Sequence, residues 1–108
     1  MTADMVRRQK SYQIVNTPHT MTGIQITDKG VDFLEAYIRE VRDVVGYEVP
    51  IAIDHFGHVE PESTIRFLRR MERYNLAWAE DLVPWAYTDE LVRLRHASTV
   101  PICTGEDI

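Results

Sequence analysis

The sequence predicts an α/β fold, part of an eight-fold β/α barrel with about three parallel strands and the helices between them. Three observations predict it. From Gly23 onward, apolar residues alternate between helical spacing and short extended runs. Helix-capping and turn residues separate the two kinds of segment. Each extended run is followed by an acid, Asp54, Glu80 or Glu106, at two equal intervals of 26 residues. One βα unit of such a barrel takes about 30 residues, so the interval matches one unit per acid.

Residues 1–22 are polar and aperiodic around Asn16-Thr17-Pro18-His19-Thr20, and are expected to form an irregular segment that covers a site or frays. Residues 23–108 are expected to form the barrel domain. Thr27-Asp28 opens a helix with a cap and early acidic charge, Val31, Leu34, Ile38, Val41 and Val45 mark its inner face, and Gly46 stops it. Val49-Pro-Ile-Ala-Ile-Asp54 follows, a short apolar run of the kind buried on both faces. Pro61 then suits a first helical turn, with Ile65, Leu68 and Met71 inward. Leu76-Ala-Trp-Ala-Glu80 is the next strand. Thr88 is read as the cap of a helix with Asp89 and Glu90 in its first turn and Leu91, Leu94 and Ala97 inward. Val100-Pro-Ile-Cys-Thr104 is the last strand. Helices between successive strands imply parallel pairing with right-handed crossovers.

With 108 residues and 44% hydrophobic content, the chain suits one small folded domain or part of a larger one. Its formal charge of −5 argues against a nucleic-acid or acidic-membrane binder, since neither attracts an acidic protein. No apolar run reaches the roughly 18 residues of a membrane-spanning helix. Met1–Lys10 lacks the apolar region of a secretory signal. The single cysteine, Cys103, is read as a small core residue in a reducing cytoplasm.

If the equal spacing puts Asp54, Glu80 and Glu106 at one level of the barrel's carboxyl end, three carboxylates converge there. They would repel each other unless a cation sat between them. Ligation by oxygen alone selects a hard ion, magnesium or manganese, over zinc. Asp81 and Asp107 follow two of these acids and should point to the opposite face. His55 and His58 lie in the adjoining loop, where either can act as a general acid or base near neutral pH. His96 is read as solvated on a helix, and His19 reaches the site only if the first segment folds over it. Trp78 shares the face of Glu80 and is assigned to the core. Trp85, in the loop after Glu80-Asp81, is placed as a wall of a substrate pocket or a shield for the helix start.

Ile53-Asp54, Ala77-Trp78-Ala79-Glu80-Asp81 with Pro84, and Pro101-Ile102 with Thr104-Gly105-Glu106-Asp107 resemble the three metal-ligand motifs of the enolase superfamily. The resemblance covers about residues 23–108 and is closest to the mandelate racemase and muconate-lactonizing branch, which includes many acid-sugar dehydratases. It implies a (β/α)8 barrel, magnesium held by Asp54, Glu80 and Glu106, and a small carboxylate substrate, a sugar acid among the possibilities. It further implies removal of the proton α to that carboxylate and stabilisation of the enediolate on the metal. Racemisation, dehydration and cycloisomerisation share this first step and stay open.

The family's capping domain has no counterpart in this sequence. The family's lysine base has no match either, because Lys10 and Lys29 do not sit at a strand end. His55 and His58 stand near where some sugar-acid dehydratases carry a histidine, but out of clean register. The expectation is therefore a fragment that holds the metal and lacks the base. Exposed sheet edges predict association, as a homo-oligomer. A non-catalytic remnant or interaction module is the alternative. A magnesium-binding phosphoacceptor module is a further reading, but its paired acids after the first strand and its late lysine are missing.

Overall fold

The computed structural model describes residues 14–15, 23–54, 58–106 and 108. Ile14–Val15 (β1) and Gly23–Ile24 (β2) pair antiparallel, Ile14 opposite Ile24. The rest of the chain alternates: helix α1 (Asp28–Val45), strand β3 (Ala52–Asp54), helix α2 (Pro61–Met71), strand β4 (Trp78–Glu80), helix α3 (Thr88–Ala97) and strand β5 (Ile102–Cys103). A 3-10 turn, Glu72–Tyr74, extends α2. Strands β3, β4 and β5 form one parallel sheet in sequential order.

Local chemistry sets the helix ends. The Thr27 hydroxyl accepts from the Gly30 amide at 3.1 Å, and Gly46, at φ 77°, closes α1 by donating to the Arg42 carbonyl at 2.7 Å. Glu60 caps α2 through its carboxylate, which accepts from the amides of Glu62 and Ser63, with Pro61 in the first turn. Thr88 is not a cap. It is the first residue of α3, and Tyr87 occupies the cap position without a side-chain cap bond. The Tyr87 amide donates to the Pro84 carbonyl, so a turn delivers the chain directly into the helix.

The core lies between the helices and one face of the sheet. Ile53 and Ala79 face it, against Val31, Leu34, Ile38, Phe67, Leu68, Met71 and Leu94. The strands are not buried on both faces, as their apolar character suggested. Ala52, Asp54, Trp78 and Cys103 alternate onto an exposed face.

The inner face of α1 also departs from its apolar pattern. Val41 is half-buried and Val45 exposed, while Glu35 (4% exposed) and Arg42 (3%) are buried. Arg42 donates to four carbonyls: Tyr74 at 2.8 Å, Asn75 at 2.8 Å, Val49 at 2.6 Å and Gly46 at 3.0 Å. One guanidinium thus ties together the connections that enter β3 and β4, at the amino ends of the strands. Its five donors in a planar fork suit that task.

Glu35 accepts from Arg70 at 2.6 Å and from the Tyr74 hydroxyl at 2.9 Å, and Arg39 and Arg73 pair with it at 3.5 and 3.4 Å. Arg70 also pairs with Asp32. Burial pushes the Glu35 carboxyl up, but the hydrogen bonds from Arg70 and Tyr74 and the charges of Arg70 and Arg73 outweigh it, so the net shift is downward. A carboxyl whose pKa is lower in the folded than in the unfolded chain stabilises the fold above the unfolded value, and loses that contribution as pH falls through the folded one. Urea midpoints measured from pH 7 to pH 3 should therefore fall in acid, and less so for Glu35→Gln. Parallel pH profiles for the two chains would refute this role.

Candidate metal centre

The parallel register sets Asp54 directly beside Glu80, and Glu80 beside Cys103, at the carboxyl ends of β3, β4 and β5. Both carboxylates emerge on the exposed face, because Ile53 and Ala79 alternate onto the core side. Trp78 lies two residues before Glu80 on that same face. It is 41% exposed rather than part of the core, and its indole N–H donates to Glu80 Oε1 at 2.9 Å. The indole thereby fixes one oxygen of Glu80.

Asp81 departs from expectation. Strand alternation should turn it away from Asp54 and Glu80, but its backbone is left-handed at φ 52°. One oxygen from each of Asp54, Glu80 and Asp81 lies within 4.8 Å of the others. Asp81 is buried (7% exposed), and its Oδ1 accepts from the Thr104 hydroxyl at 2.9 Å. Its amide donates to the Cys103 carbonyl at 3.1 Å, which anchors this turn to β5. Its Oδ2 is buried with no hydrogen-bond partner among the described residues. The left-handed backbone was not legible in the sequence, since Asp is only one of several residues that tolerate it.

Equal spacing in sequence does not give equal level in the sheet. Asp54 and Glu80 are in register, but the residue level with Glu80 on β5 is Cys103. The chain runs on through Thr104 and Gly105 (φ 130°) before Glu106, which sits exposed in a turn closed by the Ile108 amide on the Gly105 carbonyl. Cys103 is accordingly exposed and not a core residue. Partial desolvation, together with the charges of Glu80, Asp81 and Asp54 and a hydrogen bond to Glu80, pushes its thiol up.

His58 is exposed at φ 59°, and its carbonyl accepts from the Ile24 amide at 3.0 Å. Trp85 is exposed in the loop after β4, and His96 is exposed on α3. His55, Asp107, Lys10 and His19 lie outside the described residues.

Parallel strands joined by helices are an arrangement shared with known proteins. The model of the enolase C-terminal domain-like family matches residues 4–108. The chain belongs to that family. A D-galactonate dehydratase family member from Streptomyces bingchenggensis is 31% identical over 80 residues, covering 74% of this chain and 20% of the relative. A mandelate racemase/muconate lactonizing enzyme-like protein from Rubrobacter xylanophilus superposes with a TM-score of 0.72 at 37% identity, over 77% of this chain and 21% of that one. An enolase from Pantoea ananatis, solved with bound D-gluconate and magnesium, superposes with a TM-score of 0.64 at 26% identity, over 90% of this chain and 24% of that one. This enolase-family chain thus spans about a fifth to a quarter of the length of these relatives. Its fold is a stretch of the family's β/α barrel.

A hard divalent cation fits the donors that this member of the family presents. All three clustered groups are carboxylates, which match the oxygen preference of magnesium or manganese. The orphaned buried Oδ2 of Asp81 is the kind of atom that such an ion would satisfy. Among the described residues, no helix is long and apolar enough to cross a membrane.

Proposed function

We propose that this chain is the metal-binding segment of a magnesium-dependent acid-sugar dehydratase or racemase of the enolase superfamily, with manganese as an alternative ion. The observation that carries the reading is the in-register pair Asp54–Glu80 at the carboxyl ends of parallel strands, in a chain similar to a D-galactonate dehydratase family member. Asp54, Glu80 and Glu106 hold the ion. Bound there, the ion would supply a Lewis acid for the substrate carboxylate and for the charge that develops as the α-proton leaves.

The chain's own residues do the rest of what this segment contributes. The Trp78 indole holds Glu80 Oε1 in place, so the carboxylate is oriented before the ion arrives. Trp85, exposed after β4, walls the sugar-acid side of the site. His55 and His58 are the acid/base groups of the loop after β3. The remaining machinery, including the base that removes the α-proton, belongs to other parts of a longer barrel. The cytoplasm is the compartment, and the exposed sheet edges make the chain self-associate into a homo-oligomer.

Manganese titration followed by electron paramagnetic resonance tests this reading. The 108-residue chain should bind one Mn2+, competed by Mg2+, and Glu80→Gln should weaken binding at least tenfold while circular dichroism stays unchanged. Absence of binding to the folded chain would favour a non-catalytic remnant instead.

A further inference from the structure

We propose that Asp81 is an additional inner carboxylate of the metal centre, contributing a carboxylate oxygen to the divalent cation beside Asp54 and Glu80. This rests on the metal-site reading above and assigns a residue that strand alternation would send to the other face. Three observations carry it. The Asp81 oxygen lies within 4.8 Å of oxygens of both Asp54 and Glu80, so one ion can reach all three groups. The side chain is more than nine-tenths buried, and its Oδ2 has no hydrogen-bond partner among the described residues. A buried carboxylate oxygen without a partner is costly to keep, and a cation would satisfy it. Asp81 lies one residue past the end of β4 in a left-handed conformation, where strand alternation no longer assigns its side chain a face.

Thr104 is the positioning residue. Its hydroxyl donates to Oδ1 at 2.9 Å and so fixes the carboxylate, while Oδ2 has no hydrogen-bond partner among the described residues. The donor comes from the segment just after β5, so the third strand helps build the centre without itself supplying a ligand at the level of Glu80. The ligand class is a hard divalent cation, since every inner group is a carboxylate oxygen.

The test compares Mn2+ affinity, by electron paramagnetic resonance, and the Mn2+-induced rise in melting temperature for the unmodified chain, Asp81→Asn, Thr104→Val and Glu80→Gln. Asp81→Asn should weaken Mn2+ binding at least fivefold and lose most of the Mn2+-induced rise. Its metal-free melting temperature should hold or increase, because an unpaired buried charge has been removed. Thr104→Val should weaken binding by at least twofold, and it decides the matter if Asp81→Asn does not fold. A merely structural Asp81 would instead lower the metal-free melting temperature and leave affinity within fivefold, and that result overturns the proposal. If Glu80→Gln weakens binding and Asp81→Asn does not, the metal site stands and the role of Asp81 falls. If no variant changes binding, the metal-site reading falls with it.

Discussion

Replacing Arg42 by Ala is expected to destabilise the chain by about 3–5 kcal/mol, since hydrogen bonds to a charged group contribute about 1.5–3 kcal/mol each and do not add fully. The guanidinium is 3% exposed and donates to the carbonyls of Gly46, Val49, Tyr74 and Asn75. Truncation leaves the buried Tyr74 carbonyl unsatisfied, at about 1–3 kcal/mol, and removes the donor from three part-buried carbonyls as well. Total stability for a domain is about 5–15 kcal/mol, so this one change removes a large share of it. Urea denaturation with the slope held comparable reads the effect. Arg42→Lys should recover less than half of the loss, because an ammonium has three donors on one nitrogen and cannot span four carbonyls from two connections. A shift below 1 kcal/mol for the Ala variant would mean that the loops entering β3 and β4 do not depend on this residue.

Phe67→Ala is the second large effect, with an expected loss of about 3–5 kcal/mol from burial and cavity together. Phe67 is fully buried on α2, within the cluster that contains Ile53 of β3 and Ala79 of β4. Those two residues immediately precede Asp54 and Glu80, so the packing that α2 provides is also what holds the two carboxylates side by side. The variant should therefore lose Mn2+ affinity along with stability, whereas an exposed change on the same helix, such as Glu62→Ala, should alter neither by much. A stable Phe67→Ala chain, within 1 kcal/mol of the unmodified one, would show that the core collapses around the gap and that α2 does not set the geometry of the acids.

Much of the architecture was legible from local patterns. Thr27, Gly46 and Pro61 act at short range through a hydroxyl, a positive φ and a missing amide, so they mark helix boundaries wherever they stand. Asp54 and Glu80 were legible for a similar reason, as acids closing apolar runs, and the sheet sets them side by side. The first segment was less legible. Ile14–Val15, within a stretch read as irregular, pairs with Gly23–Ile24, and a two-residue strand has too little period to register in sequence.

The sequence by itself determined the order of helices and strands and the parallel sheet, because periodicity and caps are local properties. It also determined the acidic character of the carboxyl ends of β3 and β4. Only the tertiary structure decided which charged residues go inside. Glu35 and Arg42 are of residue types that seldom go inside unpaired, and partners from α2 and the α2–β4 connection complete their hydrogen bonds. The tertiary structure likewise decided the register of β5, which sets Cys103 rather than Glu106 level with Glu80, because pairing depends on where α3 delivers the chain and not on residue count. It decided the place of Asp81 as well. Asp81 stands one residue past the end of β4 in a left-handed conformation, where alternation no longer assigns a face, and nothing in the order of residues announces where the backbone will make that turn.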